Sequence, residues 1–344
     1  DCGYFYEAQQ SNFSKIPGSP VAYWVSASLL HVFETGASLG SIARPRIGQN
    51  TGDNNRFLRF WQEVDAGSIT YGLSHNELTT KKYKWLPYNK GGEYRRWFGN
   101  QEYLVNWDDD GREIKDYAVI RNHGKHWSRY IQNIENMCKP GITWSFVTSG
   151  SFSVRYLPQG FICDVAGSAI FPNIDIIFVL LALCNTKIAA AVLQMLNPTI
   201  NMQAGNVAGI PVKTEIFDNQ KISQVSEQCI ALSKTDWDSY ENSWDFQRHP
   251  LVRLKLAGAY AWGDKPPVMR LASAYNAWKL ECEGRFEKLK ANEEELNRIF
   301  IEIYGLQDEL TPEVADKDVT VHRVFDAKDD VPESMQGSNY VRTK

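Results

Sequence analysis

Short apolar runs separated by turns dominate the first half of the chain, and apolar positions at helical spacing dominate the second. Residues 21–33 follow a turn at Pro17, Gly18 and Pro20 and read as an amphipathic helix ending near Gly36. Residues 41–173 read as strands. Residues 103–107 lead into Asp108-Asp109-Asp110-Gly111 and a new run from Arg112, which predicts a hairpin, because an Asp-Gly pair suits left-handed turn positions. Residues 153–156 and 160–165 predict a second strand pair.

Residues 174–196 form an apolar stretch long enough to span a bilayer. Asp175, Asn185, Thr186, Lys187 and Gln194 interrupt it, and a charged Asp or Lys near mid-membrane costs about 2.5–3.5 kcal/mol. The pattern therefore predicts a buried helix broken near Asn185, with no membrane contact. Residues 216–304 read as helical, with a polar loop at 235–250. Breakers at Gly263 and Pro266-Pro267 precede a long helix over about 268–290. Asn292 and Glu295 then resemble a capping box ahead of Leu296, Ile299, Phe300 and Ile303.

Composition narrows the classes. Among 344 residues, 43% are hydrophobic and 23% charged, as in a soluble globular protein with a real core. The net charge of -4 confines any nucleic-acid surface to a local patch. Eleven Trp, 16 Tyr and 16 Phe serve cores, but such rings also stack on bases. The six cysteines are scattered without a C-x-x-C pair, which fits reduced thiols in the cytoplasm. No secretory signal is recognisable, and an opening Asp1-Cys2-Gly3 without Met suggests a piece of a longer protein. From residue 292 onward, 13 acidic residues face six basic ones, which predicts a mobile tail away from DNA.

An adenine-N6 methyltransferase needs a Gly-rich cofactor loop and an Asn/Asp-Pro-Pro-aromatic turn to hold the flipped base. Asn197-Pro198-Thr199-Ile200 and Lys265-Pro266-Pro267-Val268 both fail that pattern, and no G-x-G-x-x-G or Walker loop is present. His123-Gly124-Lys125-His126 lacks further metal ligands and reads as a solvated basic loop. Asp108 to Asp110 could attract a cation, but a turn explains them more simply. No nucleophile–base pairing is evident.

The positive signal lies between residues 47 and 98. Residues 48–59 form a polar, Gly-containing loop. Its Gln49, Asn50, Asn54 and Asn55 suit adenine edges, and Arg56 and Arg59 suit guanine or phosphate. Residues 81–98 hold six basic, one acidic and six aromatic side chains, which predicts a basic ribbon tracking phosphates. Gly91-Gly92 would admit close backbone approach.

Four runs make the sequence familiar: residues 16–24 (IPGSPVAYW), 51–59 (TGDNNRFLR), 88–100 (YNKGGEYRRWFGN) and 234–246 (KTDWDSYENSWDF), the last with 292–298 (NEEELNR) behind it. They resemble the C-terminal half of the PglX family, the adenine-specific DNA methyltransferases of BREX phage-defence systems. The likeness covers roughly residues 4–323 and fades after about Val324. Residues 181–212 also resemble the specificity domains of type I restriction systems. The resemblance implies a mixed α/β fold: a restriction-type target-recognition domain with a C-terminal helical domain. The Rossmann-like catalytic domain and its S-adenosylmethionine would lie outside this chain. It implies an end or linker of a methyltransferase domain over 1–40, double-stranded DNA recognition over 41–215, a helical domain over 216–304 and the acidic tail over 305–344. Thr51, Asn54, Arg56, Lys90, Tyr94, Arg95 and Arg96 are the expected DNA contacts, with Arg95 or Arg96 reading bases. No catalytic, cofactor-binding or metal residue is expected, and other BREX proteins are possible partners. The alternative is a protein-interaction module that docks other defence components or a phage DNA mimic.

Overall fold

A computed structural model of the chain describes residues 14, 16–19, 23–80, 82–147, 151–257 and 270–343. In chain order its strands are Ala37–Ser38 (β1), Pro45–Arg46 (β2), Leu58–Phe60 (β3), Trp85–Asn89 (β4), Tyr103–Asn106 (β5), Gly141–Trp144 (β6), Val154–Leu157 (β7), Ile162–Cys163 (β8), Ala169–Ile170 (β9), Pro211–Val212 (β10), Arg323–Phe325 (β11) and Val341–Thr343 (β12). The longer helices are Ala27–Thr35 (α1), Asp108–Arg121 (α2), Ile177–Cys184 (α3), Lys187–Leu196 (α4), Gln220–Trp237 (α5), Pro250–Ala257 (α6) and Leu271–Tyr304 (α7). The fold is thus mixed α/β.

One sheet has the order β2-β9-β6-β7 and is antiparallel throughout. A second has the order β3-β5-β4-β8, antiparallel except where β4 runs parallel to β8. Two core clusters hold them. Ile142, Trp144, Val154 and Ile170 of the first sheet share a buried cluster with Leu180, Val192, Cys229, Phe286 and Phe300 from the helices. Leu58, Leu86, Tyr88, Val105 and Ile162 of the second bury with Phe57 against Trp107, Ile114 and Ile131. Each fully buried side chain of this kind contributes roughly 1.5–3 kcal/mol, so packing between layers, more than the short ladders, holds the strands in place.

The apolar stretch forms a buried helix pair bent by 73°, and the break falls at Asn185, where the pattern put it. Thr186 caps the second half through the Ala189 amide. Among the described residues no single helix is long and apolar enough to cross a membrane.

Four local expectations are corrected. Asp108 to Gly111 do not close a hairpin. Asp109, Asp110 and Gly111 take left-handed φ of 52°, 58° and 65° and lead directly into the helical part of α2. Asp and Gly tolerate that region, so the same residues serve a strand-to-helix turn. Residues 153–156 and 160–165 do not pair with each other: β7 pairs with β6, and β8 with β4.

Asn292 caps nothing either. It is buried within the 34-residue α7 and donates to Gln228 Oε1 (3.3 Å). The tail is packed rather than mobile. Val319, Val321, Val324 and Met335 are buried, and β11 pairs parallel with β12. Lys290–Asp316 and Arg323–Glu283 ion pairs hold it against α7. The Gly263 and Pro266-Pro267 breakers lie outside the described residues.

Candidate nucleic-acid interface

The polar loop of residues 48–56 begins pinned to β8. The Gln49 amide donates to the Cys163 carbonyl (2.8 Å), and the Val165 amide donates to the Gln49 carbonyl (3.0 Å). A Cβ on Gly48 would lie 2.2 Å from the Cys163 oxygen, so this strand-like approach requires glycine. Gln49 is fully buried and unavailable to a base edge. Thr51 is also buried; its hydroxyl donates to Asn54 Oδ1 (2.8 Å) and shapes the turn. Asp53 caps the next helical turn through the Arg56 amide (3.1 Å). Asn54, Asn55 and Arg56 emerge from that turn exposed. Arg56 lies over Phe57 and Tyr117, with its Nε and Nη2 on Glu113 Oε1 at 2.9 and 2.6 Å.

Packed against this loop is a longer segment that contains the basic loop at residues 123–126. Residues 121–133 (RNHGKHWSRYIQN) contain Arg121, Lys125, Arg129 and two histidines, and no carboxylate. The Asn50 amide donates to the Tyr130 carbonyl (2.8 Å), and Asn133 Nδ2 donates to the Ile47 carbonyl (2.8 Å). Helix α2 ends here with a bond from the Gly124 amide back to Val119 (2.9 Å), His123 and Gly124 both having positive φ. Arg121 stacks on Tyr130 (4.9 Å) and lies over Gly52, where a Cβ would meet its Nη1 at 2.0 Å. His126 stacks on Trp127 (4.5 Å) and accepts from the Ser128 amide, so its Nδ1 is engaged locally. Arg46 borders the same surface, lining a shallow hollow with Gln132 and Asn133. Arg121, Lys125 and Arg129 are exposed, and neither they nor Arg46 form an ion pair among the described residues. The absence of acidic residues over these 13 positions was the available signal. The basic loop expected at His123 to His126 is part of this segment, and among the described residues no group of three metal-ligating side chains occurs.

The other expected contacts turn inward. Lys90 pairs with Asp164 (3.3 Å). Tyr94 is half-buried, accepts on its carbonyl from Tyr340 Oη (2.5 Å), and is pushed up to about 12 by burial. Arg95 is only 5% exposed; it donates to the Phe98 carbonyl (2.8 Å) and pairs with fully buried Asp236 (2.9 Å). Arg96 pairs with buried Glu293 (3.1 Å), which also accepts from Trp97 Nε1 (2.6 Å). The exposed phosphate-tracking ribbon is therefore corrected. Its two arginines are internal counter-ions, because a buried guanidinium is tolerated only when paired. Lys82 and Lys84 do remain exposed.

Burial alone would raise the Asp236 carboxyl, but His322 (2.9 Å), Arg95 and Arg285 together hold it well below the usual carboxylate range. Burial pushes His322 the other way, below its ordinary 6.5, against the pull of that carboxylate.

The turn at Asn197-Pro198 does not fit a methyltransferase base-holding site. Asn197 Oδ1 accepts from the Thr199 amide (3.1 Å) and hydroxyl (2.7 Å), and its Nδ2 donates to the Asn201 carbonyl (2.6 Å). Every polar group of its side chain is committed to the local turn.

No family model matches the chain. It is 38% identical over 328 residues to the adenine-specific methyltransferase PglX of Lacticaseibacillus casei (strain Zhang), covering 93% of this chain and 26% of that protein. It is 34% identical over 311 residues to the adenine-specific methyltransferase BrxX of Escherichia coli O9:H4 (strain HS), covering 89% and 23%. The chain thus spans about a quarter of the length of these curated relatives. Among solved structures, the type IIL restriction-modification enzyme MmeI, determined in complex with DNA, gives a TM-score of 0.40 at 12% identity over 78% of this chain and 34% of that one. That likeness is too slight to argue from.

Proposed function

Because nearly all of this chain is homologous to a segment of the adenine-specific methyltransferases PglX and BrxX, we propose that it supplies DNA recognition to an S-adenosylmethionine-dependent adenine-N6 DNA methyltransferase. The setting would be BREX phage defence in the cytoplasm. Methyl transfer and cofactor binding fall to residues outside this chain, since its own Asn197 turn is closed on itself.

The observation that carries the reading is the carboxylate-free segment 121–133 packed beside the 48–56 loop. In a chain of net charge -4, a surface of Arg46, Arg121, Lys125 and Arg129, none in an ion pair among the described residues, beside exposed Asn54, Asn55 and Arg56 is a local cationic patch with amide side chains at its edge. Cations of this kind neutralise phosphates, and amides and arginines reach base edges. Of the contacts inferred from sequence, Asn54 and Arg56 stay in the proposal. Thr51 becomes a positioning residue that shapes the loop.

The test is a titration of the 344-residue chain with short duplex DNA at several salt concentrations. Affinity should fall steeply with salt, with a logarithmic slope near -0.9 for each phosphate neutralised. A folded chain that ignores duplex DNA at low salt would overturn the reading in favour of a protein-docking module.

A further inference from the structure

A separate cleft of about 420 Å³ opens between the loop after β4, the end of α5 and the approach to β12. Its walls are aromatic: Tyr103, Trp237, Tyr240 and Tyr340. Guanidinium groups cover these rings. Arg95 lies over Trp237 (5.0 Å) and Tyr340 (5.5 Å), and Arg342 lies over Tyr240 (5.2 Å). His322 fills the gap between Tyr240 (4.4 Å) and Tyr340 (5.4 Å). Asn100, Asn242 and Asn339 also line this space, Asn100 Nδ2 donating to the Glu93 carbonyl (2.9 Å). The volume falls within the range of small-molecule sites.

The charge balance behind the cleft is uneven. Arg95 and Arg155 are buried there, Arg285 is partly buried, and Asp236 is the carboxylate that meets Arg95 and Arg285. Arg155 is fully buried with no carboxylate partner among the described residues. It donates only to the Arg95 carbonyl (3.3 Å) and to Ser145 Oγ (3.2 Å), and its Nε has no partner. Ser145 in turn donates to the Gly92 carbonyl, so Arg155 backs the very loop that forms the cleft's rim. Burial drives the Arg155 guanidinium down to about 10. At the mouth, Arg342 is exposed and forms no ion pair among the described residues. Glu93 and Glu102 also stand at the cleft, and Glu102 is held by Asn242 Nδ2 (2.7 Å). An unbalanced buried cation is costly, and an anion nearby offsets that cost.

We propose that this cleft binds one nucleotide unit. A base would take the place of the exposed Arg342 guanidinium over the Tyr240 ring, asparagine side chains lining the cleft would meet its polar edge, and the displaced Arg342 would meet the phosphate. Two sources share that chemistry: a free mononucleotide, and a nucleotide within a DNA single strand. This site lies apart from the 121–133 surface, and its test does not depend on duplex binding.

Isothermal titration and saturation-transfer NMR of the whole chain with deoxyadenosine 5′-monophosphate, deoxyadenosine and inorganic phosphate test the proposal. The monophosphate should bind saturably, and better than either half. Arg342→Gln should weaken it about tenfold, as expected for one charge-assisted contact, and should not weaken the binding of deoxyadenosine. Tyr240→Leu should weaken both, with the fold checked by circular dichroism. A single-stranded trinucleotide that binds tighter than the monophosphate would assign the strand as source, and equal affinities would assign the free nucleotide. No saturable binding of any probe, or binding indifferent to both Arg342→Gln and Tyr240→Leu, would overturn the proposal.

Discussion

Arg95 and Asp236, 141 positions apart in sequence, meet at 2.9 Å inside the protein, with Asp236 fully shielded from water. The contact ties the loop after β4 to the end of α5, and through His322 it reaches the segment before β11. An arginine that looks from its neighbours like a DNA reader is therefore part of the frame.

Arg95→Ala should unfold more easily rather than lose sequence preference. Removing one partner of a buried pair leaves the other charge stranded, at about 3–5 kcal/mol. A urea titration checks this. A variant as stable as the parent, with altered preference among DNA sequences, would return Arg95 to the interface.

Stability should fall on acidification in two stages. His322 is depressed below 6.5, so the unfolded chain takes that proton first, and stability declines as pH drops below about 6.5. Asp236 is depressed below 3.8. Its contribution is complete above that value and is lost as pH falls through its lower folded value. Glu293, raised above 4.5 by burial, opposes the trend just above its ordinary range. Urea midpoints from pH 7.5 to 4.5 should decline, and His322→Gln should remove the upper stage. Identical profiles for parent and variant would contradict this assignment.

Replacing Arg121, Lys125 and Arg129 together with Gln should weaken duplex binding and flatten its logarithmic salt slope by up to about 3, on the order of 0.9 per lost phosphate contact. All three are exposed, so the melting temperature should hold. Anisotropy titrations at several salt concentrations measure both quantities. An unchanged slope would move the DNA surface elsewhere.

Gly52→Ala should act on the same surface by strain. Gly52 has φ of +78° and the new Cβ would fall 2.0 Å from Arg121 Nη1. The left-handed conformation costs a non-glycine residue about 1–2 kcal/mol, and Arg121 must leave its place over the loop. A small loss of stability accompanied by weaker duplex binding is expected. Binding equal to the parent's would separate Arg121 from the contact.

Much of the fold was legible where one residue type has one use. The run 174–196 gathers Asn185, Thr186 and Lys187 where the helix breaks, and Asn185 ends its first half. Legibility failed where one residue type has several uses. Asp109-Asp110-Gly111 suits a hairpin turn and a left-handed entry to a helix equally well, and only the burial of Trp107 and Ile114 against the second sheet selects the latter. The candidate site failed for a longer-range reason. The Lys81–Phe98 composition gives no hint that carboxylates 141 and 197 positions away will neutralise Arg95 and Arg96. The segment 121–133 was readable by its lack of acid, a local property that survives folding because Arg121, Lys125 and Arg129 stay exposed.

Asn185 also guards the outer strand of the first sheet. Its Nδ2 donates to the Val154 carbonyl (3.1 Å), and its Oδ1 accepts from the Val154 amide (3.0 Å), the two bonds that a neighbouring strand would make. The backbone of Trp97 takes up the next positions, donating to Val154 O (2.9 Å) and accepting from the Tyr156 amide (2.7 Å). An edge strand left open is a template for another chain. Here a single side-chain amide and one residue of loop occupy that template, so the bend that breaks an apolar helix also keeps β7 from seeding aggregation.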